Sequence, residues 1–508
     1  MILVKHNFND VKAILLNDAE IPFDPSVSIA KNVYLLAIQF PNEIIIWSHF
    51  KVSSNINADY CNSIFEVGNS MRSYNPDNNY LLDAIGYVED SPFIKVSKKV
   101  IYPTWQMSSL IGGMKANVIV QTDEKFWDTT NFDYCLNSIA KKYQPLGLFC
   151  YSDPNFLKIP TDLNAPQANF NQLFKFVKQH YKGTWVYLLF LNLMLHNQKI
   201  PLLSVLNTFC IKKVVINKNK LNFEQKEIAK NYEKETIDVL IPTIGRKKYL
   251  YDVLCDLKAQ TLLPVRIIIV EQNPVLDSVS ELDYISSEEW PFEIKHIFTH
   301  QSGACNARNL ALKEVKSNWV FLADDDIRIS TTFLADSFEK ISTLKANAVT
   351  FSCLQKHNTK IFNTVFQWHS FGSGCSIVNV ALLIGCQFDM GYEFGFGEDS
   401  DFGMQLRKKG VDVLYLPEPE ILHLKAPVGG FRTKPVLRWS TEAIQPKPSP
   451  TVMLYKIKHN TKQQILGYKA VLFFKYYKVQ KIKNPTRYNR LFQKQWNQSV
   501  FWANELNK

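Results

Sequence analysis

The chain has 508 residues, 46% of them hydrophobic and 13% aromatic, with a formal net charge of +11. That length exceeds one hydrophobic core and predicts roughly two to four domains, and the apolar content excludes a disordered polyelectrolyte. The 9 cysteines, an odd number without a C-x-x-C pair, speak against a disulfide framework or a thiolate zinc site and fit small buried residues in a reducing, cytosolic compartment.

No charged segment followed by an apolar stretch opens the chain, since Lys5, His6 and Asp10 interrupt it, and no later apolar run reaches the length of a membrane span. Up to about residue 100, short apolar runs at 33–38, 43–47 and 94–96 alternate with Asn, Pro and Ser clusters and predict a β-rich or mixed region. Strand and helix signals then alternate: strands over 117–121 and 145–151, helices over 132–143 and 170–180. The block YPTWQMSSLIGGM, 102–114, is expected to form a turn around a buried Trp105. The run WVYLLFLNLML, 185–195, ends at His196 and is expected to be a buried core helix. Together these predict an N-terminal mixed α/β domain over 1–221, with a break near 100 and no role legible in its residues, and a charged linker over 222–235.

The pattern then sharpens. Strand 237–241, helix 248–260 and strand 266–270 form a βαβ unit with a parallel pair. A third strand, 295–299, follows an acidic connection. Residues 302–327 then read SGACNARNLALKEVKSNWVFLADDDI: a Gly turn, a helical segment and an apolar strand ending in Asp324, Asp325 and Asp326. Strands of an open α/β sheet deliver ligand-binding residues at their carboxyl ends. Three adjacent carboxylates there suit a hard divalent cation held with phosphates, or equally a solvated turn and helix N-cap.

The combination of Gly303, the Ala-Arg-Asn of 307–309, the apolar strand and the D-x-D of Asp324 and Asp326 resembles the central signature of family 2 glycosyltransferases. The resemblance spans about 236–427 and implies a GT-A fold, here a doubly wound, mostly parallel sheet over 236–440. It implies an inverting enzyme that moves a sugar from a nucleotide diphosphate sugar, a UDP-sugar favoured, to a glycan or lipid-linked acceptor in cell-surface polysaccharide or glycoconjugate assembly. Mn²⁺ or Mg²⁺ is the implied cofactor, with Asp324, Asp326 and His423 as ligands; an imidazole beside two carboxylates suits Mn²⁺ better. Pro242, Thr243 and Arg246 look like the family's first strand and loop. Glu271 stands where the family commonly has an Asp that contacts the base, a departure that leaves the base open. Asp325 lies on the donor side, and Arg308 is suited to bidentate contact with the diphosphate. In GFGEDSD, Glu398 and Asp399 match the family's acid pair, Asp399 as the general base; helix capping also explains such a pair. Within WHSFGSGCS, Trp368 offers a flat face for a sugar or packs in the core, and Gly374 permits close backbone approach. Two readings compete with the enzyme: a non-catalytic GT-A-like binding module and a sugar nucleotidyltransferase.

The last stretch, 441–508, reads as a basic aromatic helical tail. From residue 451 onward it carries 10 Lys and 2 Arg against one acid, Glu505, which accounts for the whole excess of +11. Over 465–481 the sequence predicts a helix suited to an anionic membrane surface, a reading preferred here to nucleic acid. The expectation is a cytoplasmic protein peripherally attached to the inner face of the membrane; packing of the tail aromatics on the catalytic domain is the structural alternative.

Overall fold

Alternating apolar residues build the first sheet: Ile2 and Val4 on one strand and Ile14 on its neighbour are fully buried. The computed structural model describes residues 1–65, 68–216, 235–427 and 436–508. It divides the chain into two units, Met1–Lys226 with Asn460–Gln480, and Glu227–His459 with Lys481–Lys508. The charged stretch 222–234 lies outside the described residues.

In the first unit the strands are β1 (Ile2–His6), β2 (Val11–Leu16), β3 (Ala19–Glu20), β4 (Ile44–His49), β5 (Ser70–Tyr74), β6 (Tyr102–Pro103), β7 (Ile111–Lys115) and β8 (Phe149–Ser152). They form one mixed sheet in the order β3-β2-β1-β4-β7-β5-β8-β6, with β1–β4 and β5–β8 parallel. Helices α1 (Ile29–Gln39), α2 (Ala58–Ile64), α3 (Ala116–Ile119), α4 (Phe132–Tyr143), α5 (Phe170–His180), α6 (Thr184–Asn197) and α7 (Leu202–Asn207) complete the first part of the chain. Trp105 is buried, stacked on Phe176.

Several local expectations fail here for identifiable reasons. The run 33–38 lies in α1, whose N-terminus is capped by Ser28 accepting from the Lys31 N–H. Residues 117–121 form the short helix α3 and its end; Ala116, Val118 and Ile119 bury themselves as a single turn, so tertiary packing overrides β-branched propensity. The strand expected over 145–151 begins only at Phe149, because Gln144–Leu146 is a 3₁₀ turn closed by Gly147 at φ 104°. α6 is not a buried core helix: Val186, Leu189, Asn192 and Leu193 are buried, but Tyr187, Met194 and Leu195 face solvent.

The second unit holds β9 (Ile237–Thr243), β10 (Arg266–Gln272), β11 (Glu293–Thr299), β12 (Trp319–Ala323), β13 (Ile327–Arg328), β14 (Ala348–Leu354), β15 (Phe366–Gln367), β16 (Cys375–Asn379) and β17 (Leu414–His423). Its sheet runs β11-β10-β9-β12-β16-β14-β17-β13, with β15 paired to β17. The first four strands are parallel; β9, β10 and β12 are buried almost throughout, as strands covered on both faces are, whereas the edge strand β11 is only partly buried. β16 runs antiparallel between β12 and β14. The architecture is mixed α/β with the GT-A arrangement. Helices α8 (Lys247–Lys258), α9 (Tyr284–Ser287), α10 (Ala304–Leu312), α11 (Phe333–Leu344) and α12 (Glu398–Lys408) connect these strands.

The C-terminal segment is shared between the units. α13 (Pro450–His459) and α15 (Pro485–Leu506) pack together in the second, whereas α14 (Lys462–Val479) belongs to the first. There Gly467 lies against the Tyr87 backbone, so closely that a Cβ would overlap it, and α14 packs on α6.

Candidate active site

The parallel strands β9, β10 and β12 end together, and the residues just past them form the site. Asp325 is turned inward: its carboxylate accepts from Thr243 Oγ1 at 2.7 Å and from Arg246 at 2.6 Å. Burial pushes its pKa up to about 6 against the pull of Arg246. Arg246 also reaches Asp326 at 3.4 Å. Pro242 and Thr243 lie at the end of β9, so this corner is braced by the loop that the sequence singled out.

Asp326 is held from the far edge of the sheet. The pairing of β13 with β17 sets Ile327 opposite His423, which brings His423 Nε2 to 3.3 Å from Asp326 Oδ1. The Ala426 N–H donates to its other oxygen at 2.8 Å. Burial alone would raise the Asp326 pKa, but His423, the Ala426 amide and Arg246 together hold it below the ordinary range, and the His423 pKa rises in return. Ligand atoms of Asp324, Asp326 and His423 all lie within 4.8 Å of one another. Two hard carboxylate oxygens and one imidazole make a donor set that fits a Mn²⁺-class cation.

Asp324 is the partly open member. Arg308, buried on α10, donates to its Oδ1 at 3.1 Å. Gly374 lies against the same carboxylate, and a Cβ there would overlap it. Gly303, at φ 141°, opens α10 and donates its N–H to Gln272 at 2.6 Å. The next two free amides of that helix, Cys305 and Asn306, donate to Glu393 at 3.2 and 2.9 Å, a cap that no sequence signal announced.

The acid pair opens α12. Asp399 is half-buried and accepts from both the hydroxyl and the N–H of Ser373. Burial raises its pKa, while Arg308 and Ser373 favour the ionised form. Glu398 is pushed up to about 7 by burial and by the neighbouring Asp399 charge. Two residues on, in the same turn, buried Asp401 accepts from Tyr392 at 3.2 Å and Gln405 at 2.7 Å and pairs with His459 of α13 at 2.6 Å.

Two residues expected on the donor side, Glu271 and Trp368, are engaged by neighbouring protein groups. Glu271 is buried and bound to Ser280, His296 and the Glu281 N–H. Trp368 packs among Phe362, Phe366 and Tyr415 near β15. Ser373, Glu393, Ala426 and His459 were not singled out in the sequence, because each reaches its partner from a distant loop or helix without a motif.

The description "Glycosyl transferase family 2" matches residues 238–391. Glu398, Asp399 and His423 lie beyond that match. No curated protein matches the chain. Among solved structures, S. aureus TarS aligns at 18% identity and TM-score 0.32, covering 38% of this chain and 37% of TarS. TarS 1-349 in complex with UDP-GlcNAc aligns at 16% identity and TM-score 0.35, covering 46% and 70%. GalNAc-T7 with UDP, GalNAc and Mn²⁺ aligns at 12% and 0.32, covering 38% and 44%. The chain thus spans little more than a third of the full TarS structure it is similar to. Residues 238–391 belong to glycosyl transferase family 2, and this part of the protein is a glycosyltransferase domain.

Proposed function

We propose that this protein is a metal-dependent inverting glycosyltransferase. It takes a sugar from a nucleotide diphosphate sugar, a UDP-sugar favoured, and places it on a hydroxyl of a glycan or lipid-linked acceptor in cell-surface polysaccharide or glycoconjugate assembly, at the inner face of a membrane. The observation that carries the reading is the convergence of Asp324, Asp326 and His423 within 4.8 Å, with Arg308 joining Asp324 to the surroundings of Asp399.

Asp324, Asp326 and His423 would hold Mn²⁺ or Mg²⁺, which when bound neutralises charge on the departing diphosphate. Arg308 adds a fixed guanidinium beside it, suited to phosphate oxygens. Asp399 removes the proton of the acceptor hydroxyl; the oxygen bonds to the anomeric carbon as the bond to the diphosphate breaks on the opposite side, and the configuration inverts. A base must be ionised and held in place before attack. Ser373 fixes one Asp399 oxygen, and burial makes the carboxylate more basic than a solvated one. Pro242, Thr243, Arg246, Glu271, Gly303, Asp325, Trp368 and Gly374 are assigned to shaping the donor side, and Glu398 to the acid pair.

The test is thermal stability with UDP, GDP, CDP and dTDP, each with and without Mn²⁺, on the intact chain and on Asp326→Asn. A ligand that binds only the folded protein raises apparent stability. One nucleotide stabilising only with Mn²⁺, with the response lost in the variant, is the expected result and identifies the donor class. A well-folded wild type that responds to none of them removes the reading.

A further inference from the structure

A helix that is apolar all round is at home in a core, yet α6 and α7 lie at the surface of the first unit. α6 buries Val186, Leu189 and Leu193 but leaves Tyr187, Met194 and Leu195 exposed, and in α7 the burial is inverted. α7 buries Ser204, which donates to Asn171 at 2.6 Å, and Thr208 just beyond it is buried against the Val205 carbonyl. The large apolar side chains face out: Leu203 is 75% exposed, Phe209 65%, Ile200 60%, Leu195 59%, and Leu202 and Leu206 each 58%. Leu202, Leu203 and Leu206 share one helical face by their spacing. A contiguous run of such side chains in water costs free energy, and on a soluble protein it marks a surface that meets something else.

Charge says what. From residue 163 to residue 223 the sequence contains no Asp or Glu, and its described part, 163–216, carries Lys175, Lys178, Lys182, Lys199, Lys212 and Lys213. Lys199 sits in the α6–α7 connection, and Lys212 and Lys213 follow Phe209; all three are exposed. α14, packed on α6, has no acid between Lys462 and Val479 either, and exposes Phe474, Lys475, Lys478 and Val479. Apolar side chains exposed on segments that carry lysines and no acid of their own complement a hydrocarbon layer beneath anionic headgroups. A protein partner would be expected to meet both signs of charge across its polar rim.

We infer that the α6–α7 hairpin of the first unit is a monotopic membrane-binding surface that inserts its leucines and Phe209 into an anionic bilayer. Among the described residues no helix is long and apolar enough to cross a membrane. α6, with 14 residues, spans roughly 21 Å, short of a hydrocarbon core of about 30 Å, so it lies in the interface. The inference deepens the membrane attachment proposed above and moves its apolar part from the C-terminal tail to α6–α7. It is independent of the sugar chemistry.

The intact protein is floated with vesicles of equal parts phosphatidylcholine and phosphatidylglycerol, and with phosphatidylcholine alone. Three proteins are compared: wild type, Leu203→Asp/Leu206→Asp, and Lys475→Gln/Lys478→Gln. The exposed leucines make no core contact to lose, so the first variant should keep the wild-type melting temperature. Wild type is expected to float with the anionic vesicles, and the leucine variant to bind at least about tenfold less. The lysine variant is expected to lose binding only in part and in a salt-sensitive way. Failure of wild type to float overturns the inference. So does unchanged flotation of the leucine variant; if the lysine variant alone then fails, the tail is the attachment. Light scattering gives the remaining outcome: a wild-type dimer that the leucine variant breaks would assign the face to a second copy of this chain. None of these results bears on nucleotide binding, so the donor experiment stands or falls separately.

Discussion

His423 Nε2 lies 3.3 Å from Asp326 Oδ1, at the point where β17 pairs with β13. The sheet register therefore sets this imidazole beside the carboxylate that the proposed metal site shares with it, and little side-chain freedom would be left to spend on binding. His423→Ala is expected to weaken Mn²⁺ by about 10- to 100-fold, the range seen when groups that support a bound metal are removed. Activity as a function of Mn²⁺ concentration measures it. Unchanged Mn²⁺ dependence would take His423 out of the ligand set.

Gly374 tests the same site from the opposite wall. Its φ is not in the left-handed region, so alanine is acceptable to the backbone, but the added Cβ would overlap the Asp324 carboxylate. Gly374→Ala is expected to move Asp324 and cut metal-dependent turnover at least tenfold, with a loss of stability of about 1–3 kcal/mol from overpacking. Turnover equal to wild type would mean that Asp324 has room to move without consequence.

The sheet that carries these residues was legible because buried parallel strands leave near-continuous apolar runs, and β12 ends in a triplet of acids that nothing apolar explains. The acid pair of α12 stood out only through the family resemblance, since helix capping explains such a pair as well. What holds the acids was not: Ser373, Ala426 and His459 meet Asp399, Asp326 and Asp401 from 26, 100 and 58 residues away, and no periodicity marks a hydroxyl or an amide that arrives through a loop. α6 was misread for a physical reason as well. An all-apolar helix signals burial without saying whether the burying medium is protein.

Stability should respond to pH through Glu398, whose pKa rises from 4.5 unfolded to about 7 folded because it is buried next to Asp399. The folded protein holds a proton there that the unfolded chain releases. That contribution is complete below about pH 4.5 and disappears as the pH rises through 7. Glu398→Gln, which mimics the protonated form, should match wild type near pH 4 and be more stable at pH 8, by on the order of 1–3 kcal/mol. Chemical denaturation at the two pH values gives the comparison. Equal stability at both would show that Glu398 titrates normally.

The His459–Asp401 pair ties α13 to the helix that carries Asp399. Burial lowers the His459 pKa against the pull of Asp401, and hydrogen bonds from His459 and Gln405 with the charge of Lys458 lower that of Asp401 against its own burial. His459→Ala leaves that buried carboxylate short of a partner at a cost of about 1–3 kcal/mol. The melting temperature should fall, and kcat should fall with it while the donor KM holds, because Asp401 lies in the first turn of α12 with Asp399. His459→Gln, which keeps a donor, should recover part of both. A drop in stability with no change in kcat would confine the pair to folding.

Asp399→Asn separates catalysis from binding most cleanly. The amide keeps the shape and can still accept from Ser373, so the surroundings of the donor are preserved. It cannot take a proton. Loss of a positioned general base lowers turnover by about 10²–10⁴-fold, while nucleotide binding with Mn²⁺, read by the same thermal shift as in wild type, should persist. Removal of one negative charge beside Arg308 should, if anything, strengthen the grip of that guanidinium on a diphosphate. A variant that retains turnover would remove Asp399 as the base. A wild type that binds a nucleotide with Mn²⁺ yet transfers no sugar to any glycan or lipid-linked acceptor would instead favour a binding module built on the same fold.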